Sequence, residues 1–261
     1  MLAQRSLDRR LAAAGVDPGT APWDAWQQLR AAEGPRATGI ELYALVARER
    51  GLAPPDLSQA ERTELAGRAN AVMWPEFEHI PSSVTASGQI QVVPYDPAWR
   101  LTFTDRRDRL ERVLGSIALG IHHVGSTSVP GLAAKPIVDV MVCVPELERE
   151  DAYVPGIESL GLAFRSRDRL HRYFRPAQGR PYDVHVHVCE RDGRFARDHL
   201  LFRDYLRNHR AACEAYEAAK HEAARVWADD RWAYTEAKTG VILDLLEEAE
   251  RWAQTTRWTL P

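Results

Sequence analysis

The clearest pattern in the chain is the alternation in "KPIVDVMVCV", residues 135–144. Ile137, Asp139, Met141 and Cys143 share one face of an extended segment there, and Val138, Val140, Val142 and Val144 share the other. A second alternation, "YDVHVHVC", sets Asp183, His185, His187 and Cys189 against Val184, Val186 and Val188, which predicts a strand with one polar and one buried face. "ALGIHHVGS" reads as a strand running into a turn, and its His122 and His123 point to opposite faces, so at most one of them can join a site on the sheet. "LAFRSRDRLHRYFRP" reads as a further strand, joined to "RPYDVHVHVCE" by the turn-forming "AQGRP".

Elsewhere the period is helical. In "VVPYDPAWRLTFTDRRDRLERVLGS", Trp99, Phe103, Leu110, Val113 and Leu114 recur at broadly helical spacing. "LEREDAYVPGIESLG" predicts a helix with an irregular start caused by Pro155. From Arg194 onward, "FARDHLLFRDYLRNH", "AACEAYEAAKHEAARVWA" and "WAYTEAKTGVILDLLEEAERWAQ" predict helices. Near the N-terminus, "SLDRRLAAAG", "APWDAWQQLRAAEG", "ATGIELYALVARERG" and "LSQAERTELAGRANAVMW" predict short helices separated by Gly and Pro breaks, the last opened by a capping box of Ser58 and Glu61. The small, polar "HIPSSVTASGQIQV" reads as a linker.

These elements predict an α+β chain: a small mixed sheet flanked by helices, a helical C-terminal part, and a separate small all-helical segment in front, divided as residues 1–85 and 86–261. Trp23, Trp26, Tyr43 and Trp74 are expected to anchor the core of the first segment. That segment is expected to cover a cleft, add specificity or mediate association.

Composition narrows the picture only a little. At 261 residues, 45% hydrophobic and 27% charged, the chain is an ordinary globular one. A formal net charge of -3 gives no global reason to expect nucleic acid or an anionic membrane as partner. The longest apolar run, Ile137 to Val144, is too short to span a bilayer and contains Asp139. "MLAQRSLDRRLAAAG" lacks the apolar stretch of a signal peptide. Cys143, Cys189 and Cys213 form no CxxC pair, which fits buried free thiols in a reducing cytoplasm and argues against a thiolate zinc site.

Asp139 changes the picture more, because a lone carboxylate on an apolar strand is costly to bury unless paired, hydrogen-bonded or bound to metal. Two readings stand. Asp139 pairs with Lys135 or an arginine of the later helices, or it belongs to a site. The turn "GSTSVPG" ahead of it offers backbone N–H groups and the hydroxyls of Ser126, Thr127 and Ser128 to a phosphate, although its spacing matches none of GxxxxGK[ST], GxGxxG or GxSxG. His185 and His187, at i and i+2, either point together into a cleft as acid/base groups or metal ligands, or are hydrogen-bonded residues of a half-exposed strand.

In combination, "HVGSTSVPGLAAKPIVDVMV", "HVHV", "HLLFRDYLRNHRAACEAYEAAKHEAA" and "YTEAKTGVI" resemble the GrpB family in order and spacing, from about Val92 to Ala253; residues 1 to about 85 fall outside the resemblance. That family is grouped with the nucleotidyltransferase, or polymerase-beta-like, superfamily. The resemblance therefore implies a nucleotidyltransferase-like fold, with a Gly-Ser turn before a strand bearing a D-x-D pair and a third acid on a neighbouring strand. Gly125 and Ser126 match the turn, Asp139 matches the first acid, and Met141 replaces the second. The third falls at Asp183, His185 or His187.

Asp139, Asp183, His185 and His187 are accordingly the candidate catalytic residues, with Asp139, His185 and His187 as ligands of a divalent metal, magnesium or manganese ahead of zinc. The candidate phosphate-binding set is Gly125, Ser126, Thr127, Lys135 between turn and acid, Arg203 and Arg207 at i and i+4, and Lys220 and Lys238, which match lysines that recur in the family. Met141 argues against a two-magnesium site, because paired cations about 4 Å apart repel by roughly 4 kcal/mol at an effective dielectric near 20 and need carboxylates to offset it.

The resemblance thus implies a protein that binds an NTP or other phosphorylated ligand and transfers a nucleotidyl group to a small-molecule acceptor. A GrpB-like domain also occurs fused to dephospho-CoA kinase, which points to a nucleotide or CoA context. The alternatives are a non-catalytic binding or regulatory module with a degenerate site, and a different reaction on phosphate esters or an activated carboxylate that uses His185 and His187.

Overall fold

The computed structural model describes residues 2–80 and 88–261; residues 81–87, the middle of the expected linker, lie outside them. Along the chain run α1 (Leu2–Ala13), α2 (Pro22–Glu33), α3 (Gly39–Glu49), α4 (Gln59–Met73), β1 (Glu78–His79), α5 (Ala98–Leu114), β2 (Gly120–Val124), β3 (Val138–Val144), α6 (Glu150–Ser159), β4 (Leu162–Arg167), β5 (His171–Pro176), β6 (Val184–Glu190), α7 (Arg194–Asn208), α8 (Arg210–Val226), α9 (Arg231–Glu236) and α10 (Thr239–Thr256). The chain is α+β, as expected.

Contact density groups residues up to Pro75 with His221–Leu243 in one compact unit, and Glu76–Lys220 with Asp244–Pro261 in a second. The division read from the sequence, at residue 85, kept His221–Leu243 with everything that follows the linker. Aromatic packing explains why this stretch groups with the first helices: the Tyr43 ring lies 5.8 Å from Trp227 and 5.4 Å from Trp232. Arg62, itself buried, bonds Asp229 at 2.8 Å.

In this helical unit α4 opens on the expected capping box, with Ser58 N donating to Glu61 at 2.9 Å and Glu61 N donating to the Ser58 hydroxyl. Trp26 and Tyr43 are fully buried and anchor the core, and Trp23 packs tilted against Trp26. Trp74 does not: it is 56% exposed, because α4 ends at Met73 and the chain turns away there.

The second unit is built on one mixed sheet of order β1-β4-β5-β6-β3-β2. Among the described residues, β3 and β6 pair in parallel and the remaining neighbours are antiparallel. Alternation sorts the two faces as read. Val138, Val140, Val142 and Val144 meet Val184, Val186 and Val188 in a core closed by Trp99, Leu110 and Leu114 of α5 and Tyr153 and Ile157 of α6. Each such buried side chain contributes about 1.5–3 kcal/mol of transfer free energy. On the opposite face Met141, Cys143 and Cys189 pack on Ala196 and Leu200 of α7. Cys143 and Cys189 are buried free thiols, whereas Cys213 is only half-buried.

Three elements differ from the expectation. "LAFRSRDRLHRYFRP" is two strands rather than one, because Asp168 accepts from Leu170 N at 2.7 Å and His171 N at 2.9 Å and folds the segment into a hairpin. Pro155 lies inside α6 instead of disturbing its start. The last predicted helix is broken at Ala237 and Lys238 into α9 and α10. No helix among the described residues is long and apolar enough to cross a membrane.

Candidate metal and phosphate site

The parallel pairing of β3 and β6 puts Asp139 directly opposite His185 and Met141 opposite His187. Both imidazoles consequently converge on one carboxylate oxygen: Asp139 Oδ1 lies 3.1 Å from His185 Nδ1 and 3.7 Å from His187 Nε2. One ligand atom from each of the three residues lies within 4.8 Å of the other two, and among the described residues this is the cluster of His, Cys, Asp and Glu able to hold a metal ion. The expected trio of ligands is therefore assembled by strand register.

The protonation states suit metal. Burial alone raises the Asp139 carboxyl pKa, but hydrogen bonds and charge interaction with His185 and His187 outweigh it and hold the group below the usual carboxylate range. Burial pushes His187 down, against the pull of Asp139. An ionised carboxylate beside a neutral imidazole is the form in which these groups act as ligands. His187 Nδ1 is buried with no hydrogen-bond partner among the described residues. His185 Nε2 meets the Tyr182 hydroxyl at 3.0 Å, an outer partner that fixes the ring with Nδ1 toward Asp139. Two nitrogens and one carboxylate form a donor set suited to zinc, manganese, nickel or iron more than to magnesium.

Around the trio stands a wall the sequence did not reveal. Tyr173 of β5 lies 5.2 Å, ring to ring, from both His185 and His187. His171, two residues earlier, is held by Asp168 at 2.7 Å and stacks on Phe195 of α7 at 4.5 Å. The one available signal was the position of Tyr182 three residues before His185, and the Asp168–His171 spacing became meaningful only once the hairpin was known.

The Gly-Ser turn passes directly over the acid. Gly125 has φ 68°, in the left-handed region, and a Cβ there would sit 2.3 Å from Asp139 Oδ2. The side chains of the turn are engaged by the protein. Thr127 Oγ1 bonds buried His123 at 3.0 Å, and Ser128 Oγ donates to Gly125 O at 2.6 Å. His123 stacks on Phe103, and burial lowers its pKa to about 4. Ser126 is half-buried and interacts with the Tyr216 hydroxyl, whose pKa burial raises to about 12.

Four of the five basic candidates serve the scaffold or lie elsewhere. Arg203 donates to His123 O at 3.2 Å and pairs with Asp204 at 2.7 Å. Arg207 donates twice to Ser128 O, at 3.1 and 2.7 Å. Lys220 is 1% exposed, donates to Ala133 O, and is pushed down to about 8 by burial. Lys135, four residues past Gly131 and four before Asp139, is half-buried. Lys238 belongs to the helical unit, with its Nζ 4.2 Å above Tyr234. Asp183, the remaining acid candidate, pairs with Arg106 of α5 at 2.9 Å and does not join the trio.

Known proteins resemble most of this chain. The family model described as "GrpB protein" matches residues 89–248. A UPF0157 protein of Pseudomonas aeruginosa is 37% identical over 182 residues, covering 67% of this chain and 74% of the relative. A dephospho-CoA kinase of Mycolicibacterium paratuberculosis is 30% identical over 231 residues, and the match spans 55% of its length. Among solved structures, the crystal structure of conserved protein GrpB from Enterococcus faecalis aligns with a TM-score of 0.55 at 32% identity, covering 62% of this chain and 99% of that one.

Proposed function

Because the chain belongs to the GrpB family, we propose that it binds one divalent transition-metal ion through Asp139, His185 and His187, and with it the phosphates of a nucleoside triphosphate or similar ligand. The finer reading is transfer of the nucleotidyl group to a small acceptor. The observation that carries the proposal is the convergence of two imidazoles on one ionised carboxylate. When bound, the ion would act as a Lewis acid toward a phosphoryl oxygen.

The chain's own groups do the rest. Gly125 lets the turn approach Asp139 closely enough for a ligand to meet backbone and acid together. Tyr182 holds the His185 ring, and Thr127 and Arg207 keep the turn rigid. A two-magnesium site is disfavoured by this arrangement, since the second acid position is the fully buried Met141 and Asp183 is bound to Arg106. The relative named dephospho-CoA kinase supports a nucleotide or CoA setting. A second reading, a binding module without turnover, is favoured by Met141 alone.

The test begins with EDTA-stripped protein titrated calorimetrically with Mn²⁺ and Zn²⁺. Mass spectrometry of ATP, CTP, GTP and UTP incubations with candidate acceptors follows. Stoichiometric metal uptake that is lost in Asp139→Ala supports the site, and nucleotidylated product supports the enzyme. Tight nucleotide binding without product selects the second reading. No uptake of any metal sinks the proposal.

A further inference from the structure

We propose that the metal ligand His187 is oriented by a stack of aromatic rings, with Phe195 of α7 as the positioning residue, where its partner His185 is oriented by a hydrogen bond. What His187 is oriented for rests on the metal reading above; how its ring is held does not.

The two imidazoles are held in different ways. His185 directs Nδ1 to Asp139 and meets the Tyr182 hydroxyl with Nε2 at 3.0 Å. Ligand imidazoles generally use the second nitrogen in this manner, which fixes the plane of the ring. His187 directs Nε2 to the same carboxylate oxygen, at 3.7 Å, and its Nδ1 is buried with no hydrogen-bond partner among the described residues. The last torsion of a histidine is broad, so without some other restraint the ring would swing its donor atom away from the ion position.

Rings supply that restraint. Tyr173, opposite His187 in the pairing of β5 with β6, lies 5.2 Å away, centroid to centroid, at an interplanar angle of 34°. His171 lies 5.7 Å away at 27°, and Phe195 5.9 Å away at 32°. Such separations are those of offset aromatic pairs.

The stack is itself anchored at both ends. The Asp168 carboxylate accepts from Leu170 N at 2.7 Å and His171 N at 2.9 Å, and it holds the His171 ring through Nδ1 at 2.7 Å. At the other end His199, one helical turn past Phe195, donates from Nδ1 to Phe195 O at 2.9 Å. Phe195 lies nearly parallel to both rings, 4.5 Å and 10° from His171 and 4.0 Å and 23° from His199. It therefore joins a ring fixed by the β4–β5 turn to one fixed by α7, and His187 leans on that assembly. Asp139 and His185 are placed by strand register and by Tyr182, so loss of the Phe195 ring should disturb one ligand of the three.

Calorimetry of EDTA-stripped protein with Mn²⁺ compares wild type with Phe195→Leu, which keeps apolar bulk and removes the ring, and Phe195→Tyr, which keeps the ring. Phe195→Leu should bind roughly tenfold more weakly, the low end of the effect of an outer partner, and Phe195→Tyr should stay within about twofold of wild type. The visible absorption of bound Co²⁺ supplies a signature that lost stability alone does not move. Its bands should shift in Phe195→Leu and return in Phe195→Tyr. Equal Mn²⁺ affinity and an unchanged Co²⁺ spectrum in a folded Phe195→Leu protein overturn the clamp even where wild type binds metal normally. If wild type takes up no metal, the metal reading falls, and the clamp is judged by NMR of the His187 ring nitrogens in metal-free protein. A single ring environment in wild type that becomes averaged in Phe195→Leu keeps the clamp; identical signals in both overturn it. Should Phe195→Leu not fold, His171→Gln, which removes the neighbouring ring, is read in the same way.

Discussion

The turn at residues 123–128 and the acid beneath it are built from neighbouring residues, yet they treat their polar groups in opposite ways. In the turn, His123 and Thr127 bond each other, Ser128 bonds Gly125, and Arg203 and Arg207 close over the carbonyls. On the strands below, two imidazoles share one carboxylate oxygen, and Nδ1 of His187 is buried with no partner among the described residues. Buried polar groups are ordinarily satisfied, so the unsatisfied set marks where chemistry is to be sought and the satisfied set marks the frame. The hydroxyls and arginines that most suggest a phosphate cradle are thus the frame.

The largest expected effect comes from breaking the unsatisfied side. Asp139→Ala should reduce Mn²⁺ or Zn²⁺ affinity by more than the roughly 10–100-fold typical of outer partners, while the thermal midpoint of metal-free protein moves by only a few degrees. A loss of about 3–5 kcal/mol without metal would instead identify Asp139 as half of a structural ion pair.

Gly125→Ala joins the two sides, since its Cβ would meet the Asp139 carboxylate in a left-handed conformation. A cost of about 3 kcal/mol is expected by chemical denaturation, together with lost metal uptake. On the frame side, Arg207→Met removes two charge-assisted bonds to Ser128 O and should cost about 2 kcal/mol of stability. Its metal affinity should stay within about twofold of wild type; a hundredfold loss would erase the distinction drawn above. Tyr182→Phe should weaken metal binding about tenfold, with little change in stability.

The smallest effect is in pH dependence. Lys220 is held near 8, below the usual 10.5, so the unfolded chain keeps this proton to higher pH than the folded one. Stability should therefore rise as pH climbs from 8, by about 1 kcal/mol over the first unit, and level off beyond the unfolded pKa. Denaturation of wild type and Lys220→Met across this range checks the slope, which the variant should lack.

Much of this molecule was legible in its sequence where a period spoke for itself. The valines of β3 and β6 declared both strands and their inner face, and Ser58 with Glu61 declared the start of α4. The trio was half legible: alternation placed His185 and His187 on one face, but only the parallel register put Asp139 beside them. Arg203 and Arg207 show why the rest was not. Their spacing fixed a common helical face and said nothing of the carbonyls waiting opposite. The hairpin of β4 and β5 was hidden for a local reason: its turn is made by an Asp168 side chain and contains neither Gly nor Pro. His171 and Tyr173 lay beyond reach for the same cause.

Met141 carries one more implication. Its thioether is wholly enclosed among Cys143, Cys189, Ala196 and Leu200, one step along the strand face from Asp139. Grafting an aspartate there would not recreate a paired-carboxylate catalyst. It would strand a second anion in hydrocarbon, where it would take up a proton or loosen the helix above, and unfolding titrations of Met141→Asp should register that injury well before any assay registers a gain.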